Sequence, residues 1–291
     1  MNIKELVDYG KKLLKENDIE DYNIIAKKLA KYILKIDDAK IILEEEKQVE
    51  EQDKTRYYLA IIEVISGFPV QYITNKQEFF GLEFFVNENV LIPQPDTEIL
   101  VEEVLEILKN NKEKLKNEND KIKVLDICTG SGCIGISIAK NNEDCNVEML
   151  DYSEDAIDVA KINANKILGN LSNVKFTISD MFEEIEQEYD IIVSNPPYIK
   201  TNEIDSLNEQ VKHEPKLALD GGEDGLSFYK ELVEEGYKYL SDNGFLCMEI
   251  GYDQKDDVIN LIKENGNYHN IYSKKDLSGN DRIIIAQIKI S

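Results

Sequence analysis

Basic residues are scarce in this chain: 34 lysines and arginines stand against 58 acidic residues in 291, a net charge of −24. Phosphate backbones repel such a charge, and nucleic-acid binders draw much of their affinity from cationic contacts to phosphate. No nucleic acid is therefore expected as a direct substrate. Paired cysteines are missing too. Cys128, Cys133, Cys145 and Cys247 form no CxxC pair and sit among apolar residues, as buried structural thiols in a reducing compartment do. No metal site is expected. A third absence is any unbroken apolar run long enough to span a membrane, and residues 1–17 are charged and amphipathic, without the apolar stretch of an export signal. These absences predict a cytoplasmic protein with no membrane partner. What is present, 42% hydrophobic residues over 291 positions, suffices for about two domains, each with its own core.

From Asn2 to about Gly67, apolar residues recur at helical spacing: Leu6, Leu13 and Leu14, then Ile25, Leu29, Ile33 and Leu34, then 41–43 and 59–65. A small helical domain over 1–75 follows. Phe79-Phe80 and Phe84-Phe85 flank Gly81-Leu82 as the arms of a short hairpin, giving a linker over 76–95. Asp96-Thr97-Glu98 supplies cap candidates for a helix through Leu108, and 110–121 reads as an exposed connection. Beyond it, strands over 124–127, 147–150, 174–178, 191–194 and 245–249 alternate with helices over 134–140, 155–168, 226–240 and 254–265. Runs 268–272 and 282–290 have only a loop between them and read as an antiparallel pair closing one edge. The expected class is α/β, a Rossmann-like, seven-stranded, mostly parallel sheet over 96–291 covered on both faces.

In such a sheet, ligands sit beyond the carboxyl ends of the strands. The first strand runs through Asp126 into Cys128-Thr129-Gly130-Ser131-Gly132, a small-residue turn opening a helix, which admits a ligand close to backbone or merely packs helix on strand. The second ends in Asp151, which can accept hydrogen bonds from both ribose hydroxyls or cap the next helix. Together they point to a nucleoside ligand. After the third strand, Asp180 can take an adenine amino group and the Met181 thioether can lie on the ring, although a cap and a core residue would look the same. The fourth strand ends in Asn195-Pro196-Pro197-Tyr198, the most specific signal in the chain. An amide nitrogen is a poor nucleophile because its lone pair is delocalised into the carbonyl. A catalyst must therefore hold its N–H bonds and aim the lone pair at the incoming carbon. The Asn195 side-chain oxygen and the Pro196 carbonyl are suitable acceptors, and Pro197 brings no competing donor. Tyr198 is expected to pack on the planar group. Such a site works by alignment, without a charged base or a metal.

With these residues in hand, the sequence resembles the class I S-adenosylmethionine methyltransferases carrying an NPPY motif, and among them the release factor glutamine methyltransferases. Gln71-Tyr72-Ile73, the run 91–98 from Leu91 to Glu98, and Glu214-Pro215 with Ala218-Leu219, Gly221-Gly222 and Asp224-Gly225-Leu226 carry the likeness further, over about 68–291. The resemblance implies S-adenosyl-L-methionine as cofactor, leaving as S-adenosyl-L-homocysteine, held by Cys128, Thr129, Gly130, Ser131, Gly132, Asp151, Asp180, Met181 and Asn195. It implies that Asn195, Pro196, Pro197 and Tyr198 hold the substrate, the glutamine of the GGQ loop of class I release factors, methylated on its side-chain nitrogen by a monomeric enzyme. Three positions depart from the family pattern. Cys128 stands where a glycine is usual, so an ordinary backbone conformation is expected there; Gln94 replaces an arginine, and Met181 an aromatic. The helical domain and hairpin are expected to wall the site, with 200–225 as a lid and His213 on its surface.

The same NPPY chemistry serves exocyclic amines of adenine and guanine, so a nucleic-acid methyltransferase is the rival enzyme. It would need a basic groove for a flipped base, and no lysine or arginine cluster lies near the strand ends. A binding module that keeps the cofactor site without catalysis is the other alternative, opposed by the intact NPPY.

Overall fold

A computed structural model describes residues 1–115, 121–169 and 173–289. Its contacts form two compact units, 1–76 with 208–213, and 77–207 with 214 onward. In the first, helices α1 (Ile3–Glu16), α2 (Tyr22–Leu34), α3 (Asp38–Leu43), α4 (Glu51–Ile65) and α5 (Val70–Thr74) follow the apolar spacing. A capping box starts α1: the Asn2 side chain accepts from Glu5 N–H at 2.8 Å, and Glu5 accepts from Asn2 N–H at 2.9 Å. Leu6, Leu14, Leu29, Ile33 and Ile61 close the core around Tyr57, whose hydroxyl donates to the Ala26 carbonyl at 3.1 Å. Ile42 and Leu43 of the short α3 stay exposed.

The larger unit opens with the hairpin β1 (Gln77–Phe79) and β2 (Leu82–Phe84). Its turn is Phe80-Gly81 rather than Gly81-Leu82. Both residues have positive φ, 51° and 70°, as a two-residue hairpin turn of matching twist requires. Phe80 N–H donates to Glu98 at 2.7 Å, which holds the aromatic in that conformation. Phe79 and Phe84 are buried in the core of this unit, so the hairpin packs as part of it. Helix α6 (Glu98–Leu115) runs seven residues past the expected Leu108. Lysine, glutamate and leucine are good helix formers, and Leu115, one heptad beyond Leu108, is buried. Residues 116–120 of the expected connection lie outside the described residues.

The remaining elements are β3 (Ile122–Ile127), α7 (Cys133–Asn141), β4 (Cys145–Asp151), α8 (Glu154–Leu168), β5 (Val174–Ile178), β6 (Tyr189–Ser194), α9 (Glu209–Lys212), α10 (Lys216–Leu219), α11 (Ser227–Gly236), β7 (Leu240–Glu249), α12 (Lys255–Asn265), β8 (Tyr268–Lys275) and β9 (Asp281–Ile288). Helix α11 ends earlier than the expected Leu240: a 3-10 turn over Tyr237–Tyr239 follows, and Leu240 already pairs with Tyr189 in the sheet. Ile290, the expected end of the last strand, lies outside the described residues.

Among the described residues the sheet has seven strands in the order β5-β4-β3-β6-β7-β9-β8, parallel except where β9 pairs antiparallel with β7 and β8. Alternate residues feed two cores. Val124, Val147, Ile191 and Val193 face α6 and α7 on one side; Leu125, Ile127, Ile192 and Leu246 face α11 and α12 on the other. The strand order reverses direction at β3, between β4 and β6. A cleft at the carboxyl ends is the geometric consequence.

Candidate active site

The turn after β3 is built around buried acid. Asp126 is fully buried and accepts from the Thr129 hydroxyl at 2.6 Å and from Gly135 N–H at 2.9 Å. Burial pushes its carboxyl up to about 7 against these two hydrogen bonds. Cys128 has φ 59°, which corrects the ordinary backbone expected for it: the chain reverses directly beyond Ile127, and a cysteine takes the left-handed conformation that glycine adopts without strain. Burial raises its thiol well above the usual value, so it is no thiolate. Gly132 sits at φ 80°, a conformation that strains any side chain, and a Cβ there would also press on Ala160 Cβ at 3.2 Å.

Asp151 closes the turn from the next strand. It accepts from Gly130 N–H at 2.8 Å through one oxygen and from Ser153 N–H at 2.9 Å through the other, leaving lone pairs on both. Its carboxyl is raised by burial and drawn back by these amides. Asn163 of α8, fully buried, braces the same turn: it donates to the carbonyls of Ser131 and Phe85, both at 2.9 Å, and accepts from Phe85 N–H at 2.6 Å.

At the end of β6 the Ser194 hydroxyl donates to the Ile127 carbonyl at 2.7 Å, tying the two strand ends together. Asn195 Nδ2 donates to Thr97 Oγ1 at 3.3 Å. The Tyr198 carbonyl accepts from Gln254 Nε2 at 2.9 Å, and its hydroxyl lies 3.5 Å from Glu249 Oε1. Glu249 ends β7, one strand over, and burial pushes its carboxyl up to about 7, against the Thr97 hydroxyl and the Arg282 charge.

One cavity at these strand ends is lined by Cys128, Thr129, Gly130, Ser131 and Asp151, and on its other walls by Asp180, Met181, Asn195 and Pro197. Gln94 and Thr97 line it as well. Gly132, Pro196 and Tyr198 do not; Gly132 packs α7 on α8, and the Tyr198 ring joins the apolar cluster of Leu226 and Phe228. Met181, like Cys128, has positive φ, 42°, and is buried. The Ser131 hydroxyl is buried at the cavity and has no partner among the described residues. The lining combines an unpaired hydroxyl, a carboxylate with lone pairs to spare and a thioether, a set of groups that would suit an amino-acid-bearing nucleoside.

Comparison with known proteins gives this lining a family. Residues 106–223 match the model described as methyltransferase small domain, and residues 5–74 match the PrmC N-terminal domain. The release factor glutamine methyltransferase of Clostridium acetobutylicum is 42% identical over 98% of both chains, and that of Clostridium botulinum 39% identical over 99% of both. The chain belongs to the release factor glutamine methyltransferases. A solved structure of the hMettl16 catalytic domain in complex with MAT2A 3'UTR hairpin 6 shares the fold, with a TM-score of 0.55 at 15% identity over 83% of each chain.

In this member of the release factor glutamine methyltransferases, four polar residues beside the cavity escaped the sequence reading: Asn163, Glu249, Gln254 and Arg282. Asn163, Glu249 and Arg282 lie inside an ordinary helix or strand, Gln254 stands just before α12, and none carries a local motif. Their signal is tertiary, a polar group in an otherwise apolar stretch. Glu249 and Gln254 flank Gly251 at the end of a buried strand, and that was the one hint available.

Proposed function

We propose that this chain transfers the methyl group of S-adenosyl-L-methionine to the side-chain nitrogen of a glutamine in the GGQ loop of class I release factors. The observation that carries this reading is the meeting of Asn195 and Pro197 with the glycine turn and Asp151 in one cavity at the strand-order reversal. The cofactor supplies an electrophilic methyl group on a sulfonium. The chain's own part is binding and alignment. Asp151 takes the ribose hydroxyls, the turn from Thr129 to Ser131 takes the amino-acid end, and Asp180 and Met181 take the adenine. Asn195 Oδ1 and the Pro196 carbonyl accept the two N–H bonds of the substrate amide, which turns the nitrogen lone pair toward the methyl carbon for in-line transfer. Forming the N–C bond would break the methyl–sulfur bond and leave S-adenosyl-L-homocysteine as a neutral thioether, and the substrate nitrogen would give one N–H proton to water, which restores the neutral amide. Pro197 leaves no backbone donor there to compete.

The test is transfer of labelled methyl to a purified class I release factor, beside a copy whose GGQ glutamine is changed and beside duplex DNA. Label on the intact factor alone supports the glutamine; label on DNA, or on both factors equally, overturns it. No described helix is long and apolar enough to cross a membrane, and with a net charge of −24 a protein acceptor is the electrostatically easier substrate.

A further inference from the structure

Gly221, Gly222 and Gly225 follow α10, and none of them lines the cavity. Two of them run against the backbone of Tyr198 instead. A Cβ at Gly221 would lie 2.7 Å from Tyr198 Cα and 2.8 Å from its carbonyl carbon, and one at Gly225 would lie 2.6 Å from its carbonyl oxygen. Gly225 also holds φ 73°, which glycine adopts without strain. Just beyond, Ile199 N–H donates to the Leu219 carbonyl at 3.0 Å, and the Ile199 carbonyl accepts from Gly221 N–H at 2.8 Å.

Gln254 completes the grip on Tyr198. It is buried at the start of α12, and its Nε2 donates to the Tyr198 carbonyl at 2.9 Å and to the Gly225 carbonyl at 3.1 Å. Its Oε1 accepts from Gly251 N–H at 2.9 Å, just past the end of β7, and from the Tyr229 hydroxyl of α11 at 3.3 Å. Both hydrogens and the oxygen of one carboxamide are engaged, so no shorter side chain or carboxylate could make the same set of bonds. What this holds is a stiff strut. Asn195 and Pro196 each precede a proline, which disfavours the helical region for both, and the rings fix φ at 196 and 197. The upstream end is anchored by the pairing of Ser194 in the sheet and by its hydroxyl. Pro197 ψ and the torsions of Tyr198 are the freedom that is left, and holding the peptide after Tyr198 removes it.

We infer that Gln254, with Gly221 and Gly225, clamps the Tyr198 peptide and thereby fixes the aim of Asn195 Oδ1 and the Pro196 carbonyl, which makes Gln254 a positioning residue for methyl transfer. Gln254 itself does not line the cavity. The clamp acts on Asn195 and Pro196 as acceptors of the substrate amide, and the inference rests on that reading of the site.

Its test is single-turnover transfer of labelled methyl from S-adenosyl-L-methionine to a release factor, both saturating, in Gln254→Met, Gly225→Ala, Tyr229→Phe and Asn195→Ala. Cofactor Kd is measured by calorimetric titration, and thermal melts establish folding. Gln254→Met keeps the length of the side chain and loses both donated hydrogen bonds. Misalignment of the acceptors is expected to slow its transfer by about 10- to 100-fold. Gly225→Ala, whose methyl displaces the same carbonyl, should be slowed over the same range. Cofactor Kd should stay within about threefold of wild type in both, because the loss falls on alignment and not on the nucleoside contacts. Tyr229→Phe removes a hydroxyl from the oxygen end of the same carboxamide and leaves both donations, so its rate should stay within about twofold of wild type. A wild-type rate in folded Gln254→Met or Gly225→Ala overturns the clamp. So does a loss carried by cofactor Kd, or a Tyr229→Phe as slow as Gln254→Met, which would assign the effect to packing around α12. If Gln254→Met does not fold, Gly225→Ala decides by the same rates. An overturned clamp beside a dead Asn195→Ala leaves the site reading standing, whereas an active Asn195→Ala overturns both.

Discussion

Two residues beside the cavity, Cys128 and Met181, hold left-handed backbone without being glycine. Such strain is tolerated where surrounding packing over-determines the chain, and it concentrates at ligand sites. Cys128→Gly should relieve it. The gain of roughly 1–2 kcal/mol from the left-handed region is offset in part by the greater unfolded-state freedom of glycine, about 0.5–1 kcal/mol. A small rise in the urea midpoint is expected, and a fall would mean that thiol packing outweighs backbone strain. At the chemical residues the expected split is between rate and affinity. Asn195→Ala should lower the transfer rate about 100-fold or more with the cofactor Kd little changed, because alignment is lost and the nucleoside contacts are not. Asp151→Ala should weaken cofactor binding roughly 10- to 100-fold, the worth of hydrogen bonds to a charged group, and also loosen the turn it holds through Gly130. Calorimetric titration beside single-turnover rates separates the two.

At the scale of elements, the site is a joint between β3, β4 and β6, and its geometry is held by side-chain hydrogen bonds that run from one element to the next. Ser194 ties β6 to the end of β3, Asp151 ties β4 to the glycine turn, and Asn163 ties α8 to that turn and to the chain after the hairpin. Asn163 makes three hydrogen bonds with no exposure to water. Removing it leaves two carbonyls and one N–H unpaired in the interior, and each unmet buried group costs about 1–3 kcal/mol. Asn163→Ala is expected to destabilise the larger unit by several kcal/mol, on the order of 3. It should also weaken cofactor binding, since Ser131, whose carbonyl it holds, lines the cavity. Stability near wild type in thermal melts would show that water replaces the amide.

Across the whole molecule, buried carboxyls set the pH dependence of stability. Burial pushes Asp126, Glu214 and Glu249 up to about 7, above their unfolded values. The native state then binds more protons than the unfolded state between about 4.5 and 7. Stability supplied by these groups is full below the unfolded value and is lost as pH rises through the folded one. Glu214 is the cleanest probe, because it accepts a 2.8 Å hydrogen bond from Ile92 N–H that a glutamine oxygen can also accept. Glu214→Gln should melt higher than wild type at pH 8, with the advantage shrinking toward pH 5. A difference independent of pH would assign the effect to packing instead of ionisation. The net charge of −24 acts in the same direction, since mutual repulsion grows as these acids ionise.

The periodic elements were legible because their causes are local. Helical spacing in 2–67, buried β-branched strands and the alternation of strand and helix follow from side-chain order alone, and the antiparallel pair at the sheet edge follows from the lack of a helix between two apolar runs. The turn after β3, Asp151 and the Asn-Pro-Pro-Tyr segment were legible too, because backbone chemistry at a strand end is written in consecutive residues. Element limits at 108, 115 and 240 were not. Lys, Glu and Asn between Leu108 and Leu115 are compatible with helix or coil, and only burial of Leu115 chooses. The left-handed Cys128 was hidden for a related reason: the chain reversal at the strand end, and no property of cysteine, imposes its φ.

What the sequence by itself determined is the class of fold, the glycine turn after β3 and the Asn-Pro-Pro-Tyr segment that ends β6, all of which depend on neighbours within a few positions. What only the tertiary structure decided is which way those residues face. Thr97, Asn163, Asn195, Glu249 and Arg282 are far apart in the chain and adjacent at the strand ends. A hydrogen-bond direction is a property of the pair, so it exists only once folding has brought the pair together.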